Sequence, residues 1–176
     1  MQYKIRNFFI IFAIILISFS VEYSIFTRIP LLDSAPNLML TVIFFFGYVK
    51  DSNIGMLVGF FSGLCIDVFY GPVIGYNALI FVLIGAVCGR LNKVYYSNSV
   101  FIQILLIFLL DNACTLIYFF FWHILHAKFD IIYYLTGIMI PESLFTMTAG
   151  IILLRPMSAL IRFMYSYEAL SEAENI

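Results

Sequence analysis

The chain has few charged residues. Only 11% of its 176 residues are Asp, Glu, Lys or Arg, whereas soluble domains carry about 25%. In contrast, 64% of the residues are hydrophobic and the mean hydropathy is +1.05. These values exclude an ordinary soluble domain and indicate an all-α integral membrane protein.

Cysteine and clustered positive charge are also scarce. Cys65, Cys88 and Cys114 are odd in number, lie inside apolar runs and lack CxxC spacing, so neither a disulfide framework nor a zinc site is indicated. We expect them to be small core residues. No basic patch is present that could meet phosphates, so nucleic acid is not an expected partner.

The common catalytic motifs are missing. The sequence contains no HExxH, GxSxG or paired-glutamate motif. His123 and His126 have a spacing that could hold a metal, but no third strong ligand lies nearby. We therefore expect no enzyme activity, no cofactor and no metal site.

Apolar segments separated by short polar turns fill the chain. Each helical crossing of a bilayer needs roughly 20 mainly apolar residues, so this length accommodates six crossings and little else. We predict a single membrane domain, a bundle of six transmembrane helices, in which Pro156 kinks the last helix. The predicted spans are approximately 8–26, 38–49, 54–70, 74–91, 100–122 and 140–164, followed by an acidic cytoplasmic tail at 165–176. Residues 129–139 either start the last span early or form a separate interfacial helix.

The positive charges predict the orientation. With six spans, most of them fall on the side of the two termini, and the positive-inside rule makes that side cytoplasmic. These residues are Lys4, Arg6, Lys50, Arg90, Lys93, Arg155 and Arg162, against Arg28 and Lys128 on the other side.

The third segment carries a glycine at every fourth position. Gly55, Gly59 and Gly63 follow this period, and the next position in the series is Asp67. Small residues allow helices to approach closely in lipid, so we predict a packing face here and a tight antiparallel hairpin with the fourth segment. The other packing or partner-binding candidates lie in the turn and in the fourth segment: Gly71, Pro72, Gly75, Asn77, Gly85 and Gly89.

Several polar residues fall at similar depths in the predicted bundle. Glu22, Asp67, Asn77 and Glu142 lie toward the outer ends of their spans, and Asp111 lies half a membrane deeper. An acid inside a membrane usually faces protein or water and is by default a functional hypothesis. These groups either converge on an outward-facing acidic cavity, or each acid is satisfied separately by a neighbouring helix or by interfacial water.

Four short motifs between residues 36 and 90 occur in a characteristic order. They are Pro36-Asn37, Gly63-Leu64-x-x-Asp67, Gly71-Pro72-x-x-Gly75-x-Asn77-Ala78-Leu79 and Gly89-Arg90. In this order they resemble the rod shape-determining protein MreD family of bacteria. Chain length, span number and the proline-led last helix agree with the same family.

The resemblance implies a non-enzymatic scaffold of the bacterial cytoplasmic membrane. Such a protein would act with MreC and, through it, with MreB, the glycosyltransferase RodA and a class B penicillin-binding protein in lateral peptidoglycan synthesis. The family is also similar in layout to the S components of energy-coupling-factor vitamin transporters. The alternative is therefore a small-molecule site around Asp67, Asn77 and Glu142. Span one has only Ala13 and no small partner four residues away, a departure from those subunits that favours the scaffold.

Overall fold

The computed structural model describes residues 2–25, 35–71, 73–94, 99–126 and 135–173. These residues form six α-helices and no β-strand, which confirms the predicted all-α class. The helices are α1 Gln2–Ile25, α2 Leu38–Val49, α3 Ser52–Phe69, α4 Tyr76–Val94, α5 Val100–His126 and α6 Ile140–Ala173. A π-helical turn, Leu135–Met139, leads into α6.

Four of these helices are long and apolar enough to cross a membrane. The qualifying segments are Ile5–Ser24 of α1, Ser52–Phe69 of α3, Val100–Phe121 of α5 and Thr136–Tyr165, which includes most of α6. The apolar parts of α2 and α4, Leu38–Val49 and Tyr76–Leu91, are shorter. The number of crossings therefore stays a prediction.

The helix ends differ from the predicted spans mainly at the two termini. The first helix already begins at Gln2, and the last continues to Ala173 rather than ending near residue 164. The extension is reasonable because residues 166–173 contain mostly good helix formers. Pro156 lies inside α6, where the Ser158 hydroxyl donates to the Leu154 carbonyl at 2.6 Å. The predicted kink at this proline stays a prediction.

Helix α2 is the centre of the molecule. Eleven of its twelve residues are buried, and α1, α3, α4 and α6 all pack around it. At 1.5 Å per residue it is about 18 Å long, well short of the roughly 30 Å of a bilayer's hydrocarbon core. Asn37 precedes it as the N-cap, and its side-chain oxygen accepts from the Leu40 amide at 3.0 Å, the usual way of satisfying a free N–H at a helix start.

Helices α3 and α4 form a hairpin in backbone contact. A Cβ added to Gly59 would overlap the Phe81 carbonyl, and one added to Gly63 would overlap the backbone of Ala78. A Cβ on Gly55 would lie 2.7 Å from the Gly47 Cα of α2, so a third helix joins this contact. The same closeness holds on α4, where Gly85 lies against Gly55 and Gly89 against Ser52.

Candidate functional site

A cavity of about 300 Å³ lies at the end of the bundle where α1, α3 and α5 end and α2, α4 and α6 begin. We call it the outer cavity, because the predicted orientation places this end outside the cytoplasm. Its polar lining residues are Glu22, Tyr23, Asn37, Asn77, Tyr118 and Glu142.

Asp67 holds the start of α4 from the end of α3. Its carboxylate accepts hydrogen bonds from the backbone amides of Gly75, Asn77 and Ala78 at 2.9, 3.0 and 3.1 Å. The side-chain amide of Asn77 donates a fourth bond at 2.8 Å. Free N–H groups and the positive end of the helix dipole make a helix start a favourable place for a carboxylate. The side chain is 2% exposed, so Asp67 is satisfied inside the protein.

The turn between the two helices explains the remaining motif glycines. Gly71 lies so close to Asp67 that a Cβ would be 2.7 Å from the Asp67 Cα. Gly75 has a φ of +98°, a left-handed conformation that residues with a side chain rarely adopt. Pro72 lies outside the described residues.

Asn77 connects the hairpin to α5. The Tyr118 hydroxyl donates to its side-chain oxygen at 2.6 Å, while its side-chain nitrogen binds Asp67. A chain of hydrogen bonds therefore runs from α3 through α4 to α5 along the wall of the outer cavity. Asn77 is 8% exposed and cannot exchange these bonds freely with solvent.

Glu22 binds the start of α2 in the same way as Asp67 binds the start of α4. Its carboxylate accepts from the Met39 amide at 3.0 Å, in the first turn of α2. The adjacent Tyr23 stacks on Tyr70, with ring centroids 4.4 Å apart, and fixes the end of α1 against the end of α3. These contacts place Glu22 and Tyr23 in the cavity wall.

Glu142 lies in the first turn of α6, where a negative charge is favourable. Its backbone carbonyl accepts from the Thr146 hydroxyl at 2.9 Å, and that hydroxyl in turn accepts from the Asn37 amide at 3.0 Å. The starts of α2 and α6 are thereby joined. The Thr115 side chain of α5 also contacts Glu142.

Asp111 is the exception among the acids. It lies in the interior of α5 and is 0% exposed. Asn37 and Thr146 are its polar neighbours, but neither carboxylate oxygen has a hydrogen bond of regular geometry. Both glutamates of the cavity lie within electrostatic range of it.

The sequence left open whether the polar residues converge on one cavity or are each satisfied separately, and the structure contains an example of each. Glu22, Asn77 and Glu142 line one cavity, whereas the Asp67 carboxylate is held by its four hydrogen bonds. The glycines of the α3–α4 contact lie along the hairpin and not in the cavity lining. Tyr23 and Asn37 also line the cavity, although the sequence did not predict it. The position of Asn37 directly before an apolar segment indicates a helix cap but gives no sign of a cavity.

The described residues provide no metal centre, since none of them form a group of three or more His, Cys, Asp or Glu suited to a metal ion. The side chains of His123 and His126 lie outside the described part of the chain.

The helical bundle and its membrane-length apolar helices define an integral membrane protein. The family follows from comparison with known sequences: a family model described as rod shape-determining protein MreD matches residues 2–164. The chain belongs to this family, which works within the bacterial shape-determining system of MreB and MreC.

No curated protein and no solved structure matches the chain. The likeness in layout to energy-coupling-factor S components is therefore still only a prediction.

Proposed function

We propose that this protein is a non-enzymatic scaffold of the elongation machinery, which binds MreC and thereby helps place the cell-wall synthases along the side wall. The observation that carries the proposal is the family match over residues 2–164, nearly the whole described chain. RodA and a class B penicillin-binding protein would be reached through MreC.

The chemistry of the polar residues supports a scaffold. Asp67 and Glu22 accept backbone N–H groups at the starts of α4 and α2, and Asn77 ties Asp67 to Tyr118. Such bonds fix helix positions, and none of them pairs a nucleophile with a base. A rigid arrangement of helices is what a binding surface in a bilayer requires, because partners there are recognised by packing and by a few polar contacts.

The lipid-facing side offers surface for such partners. Large apolar side chains are exposed along α1 and α5, where either acyl chains or partner helices can cover them. We propose six crossings of the cytoplasmic membrane with both termini in the cytoplasm. In that arrangement α2 crosses at the centre of the bundle, where surrounding protein compensates for its short length.

Affinity purification tests the proposal. The tagged protein, expressed with MreC and solubilised in mild detergent, should retain MreC, and it should restore rod shape to a strain depleted of its own MreD. A tagged unrelated six-helix membrane protein is the control. If MreC is not retained above that control and cells remain round, the scaffold function is wrong.

A further inference from the structure

Helix α5 is attached to α6 along one side. Three residues of α5 at fourfold spacing, which share one face of a helix, each lie against a residue of α6. The pairs are Ile107–Gly150, Asp111–Thr146 and Thr115–Glu142. These contacts follow α5 from its middle to the outer cavity, so its position relative to α6 is fixed along this length.

On the side of α4, the described hydrogen bond and ring contacts of α5 lie at the outer end. The Tyr118 hydroxyl donates to the Asn77 side-chain oxygen at 2.6 Å. The ring of Tyr76 packs on those of Tyr118 and Phe121, with centroids 5.8 and 5.6 Å apart. Because the side-chain nitrogen of Asn77 donates to Asp67, its oxygen is directed toward Tyr118.

The two sides of α4 differ in how they pack. Toward α3, Gly85 and Gly89 bring the two helix backbones into contact along the hairpin. Helix α5 contains no glycine, so α4 and α5 meet through side chains. An interface of side chains tied at one end opens at a lower cost than backbone contact along a whole helix pair. The α4–α5 interface is therefore the weaker of the two.

The outer cavity lies at this interface. Asn77 and Phe81 of α4 and Tyr118 of α5 all line it. If the outer half of α5 moved away from α4, the cavity would open sideways between the two helices, at the level where both face lipid.

We propose that the outer half of α5 is a movable wall of the outer cavity, which turns about its contacts with α6 and separates from α4 when the bond between Tyr118 and Asn77 breaks. This bond, which we call the latch, keeps a side entrance to the cavity closed. The inference is independent of the proposed binding of MreC.

Distances between spin labels test the opening. In the purified full-length protein, with its native cysteines replaced, labels at Leu79→Cys of α4 and Phe120→Cys of α5 lie on either side of the proposed entrance; both native side chains are exposed. Double electron–electron resonance should show a main distance and a minor, longer one. Tyr118→Phe keeps the ring and removes the latch. It should raise the ratio of the longer to the main component about fivefold, equivalent to the roughly 1 kcal/mol of one hydrogen bond.

Two controls separate the latch from general loosening. Tyr76→Phe changes a tyrosine of the same ring cluster whose hydroxyl is not part of the latch, and it should leave the distances unchanged. A second label pair, Leu57→Cys of α3 and Leu83→Cys of α4, lies across the glycine hairpin at exposed positions. This pair should give the same distances in wild type and in both variants.

The outcomes are distinct. A longer component that increases at the entrance pair in Tyr118→Phe alone supports the latch. Identical distributions in wild type and Tyr118→Phe overturn it, and so does an equal increase in Tyr76→Phe, because ring packing would then hold the wall. A change at the hairpin pair in Tyr118→Phe overturns it as well, since the whole bundle would then have loosened. None of these results depends on whether MreC is retained, so the scaffold function is tested separately.

Discussion

At the scale of single residues, the acids at the outer end act chiefly by holding helix starts. Asp67, Glu22 and Glu142 lie at the beginnings of α4, α2 and α6. Asp67 and Glu22 replace solvent at N–H groups that have no partner within their own helix, and Glu142 places its charge in the first turn of α6. These acids are therefore part of the fold as well as candidates for function.

Replacing Asp67 by alanine should destabilise the protein strongly. The change removes four hydrogen bonds and leaves the amides of Gly75, Asn77 and Ala78 without their acceptor. From the usual cost of a lost cap and of buried unsatisfied donors, we expect about 3 kcal/mol. Thermal unfolding in detergent measures the effect.

Asp67→Asn separates charge from shape. The asparagine keeps one acceptor oxygen, so we expect a smaller loss than for alanine. Asn53→Ala is the control, because Asn53 is an exposed polar residue in the first turn of α3. Equal melting temperatures for Asp67→Ala and wild type would contradict the capping role.

Gly75→Ala tests the turn alone. The position has a φ of +98° and open space where the alanine methyl group would lie, so any cost comes from the backbone and not from a clash. We expect about 1–2 kcal/mol of destabilisation, the usual cost of a left-handed conformation for a residue with a side chain. The same thermal unfolding assay measures it, and an unchanged or higher melting temperature would show that the turn relaxes.

At the scale of helices, the α3–α4 hairpin depends on the absence of side chains at its glycines. The backbone of α4 occupies the space where side chains of α3 would lie, at Phe81 opposite Gly59 and at Ala78 opposite Gly63. Gly47 extends the contact to α2. One added methyl group must therefore push two helix backbones apart.

Gly59→Ala and Gly63→Ala should each reduce the yield of folded protein, and leucine at the same positions should reduce it further. Fluorescence-detected size-exclusion chromatography of the solubilised protein measures the yield. Gly150→Ala is the matched control, because a methyl group there meets only the side chain of Ile107, which can move. If the hairpin variants give the same monodisperse peak as Gly150→Ala, backbone contact is not required for folding.

The sequence predicts the α3–α4 hairpin but does not predict which helix lies at the centre of the bundle. The fourfold spacing of Gly55, Gly59 and Gly63 predicts close helix contact because small residues have few other uses in an apolar helix. In contrast, α2 is more apolar than its neighbours, but in lipid an apolar residue is equally stable facing acyl chains or protein. Its central position depends on how the other helices pack. The hydrogen bond from the Met39 amide to the Glu22 carboxylate could not be predicted either, because it also depends on how α1 packs against α2.

At the scale of the whole molecule, one end of the bundle is acidic and holds the cavity, and the other end carries basic residues. Lys50 lies there, 4.0 Å from the centre of the Tyr165 ring. The exposed Arg90, Arg155 and Arg162 belong to the same predicted side. This asymmetry is the basis of the proposed orientation.

Cysteine labelling checks the orientation. In a variant whose native cysteines are replaced, Ile74→Cys reports on the turn at the cavity end and Asn53→Cys on the opposite turn; both positions are exposed. A membrane-impermeant maleimide should label position 74 in intact cells and position 53 only after permeabilisation. The reverse pattern would invert the proposed topology and place the cavity in the cytoplasm.

The enclosure of α2 determines how genetic defects in this protein are to be interpreted. From Leu38 to Tyr48 every residue is shielded by the rest of the chain, so these eleven side chains are closed to other proteins while the bundle is intact. A shape defect caused by a substitution here reports a misassembled bundle, even when it mimics the loss of a binding partner. Screens for binding surfaces should therefore exclude this segment and use it as a reference for misfolding.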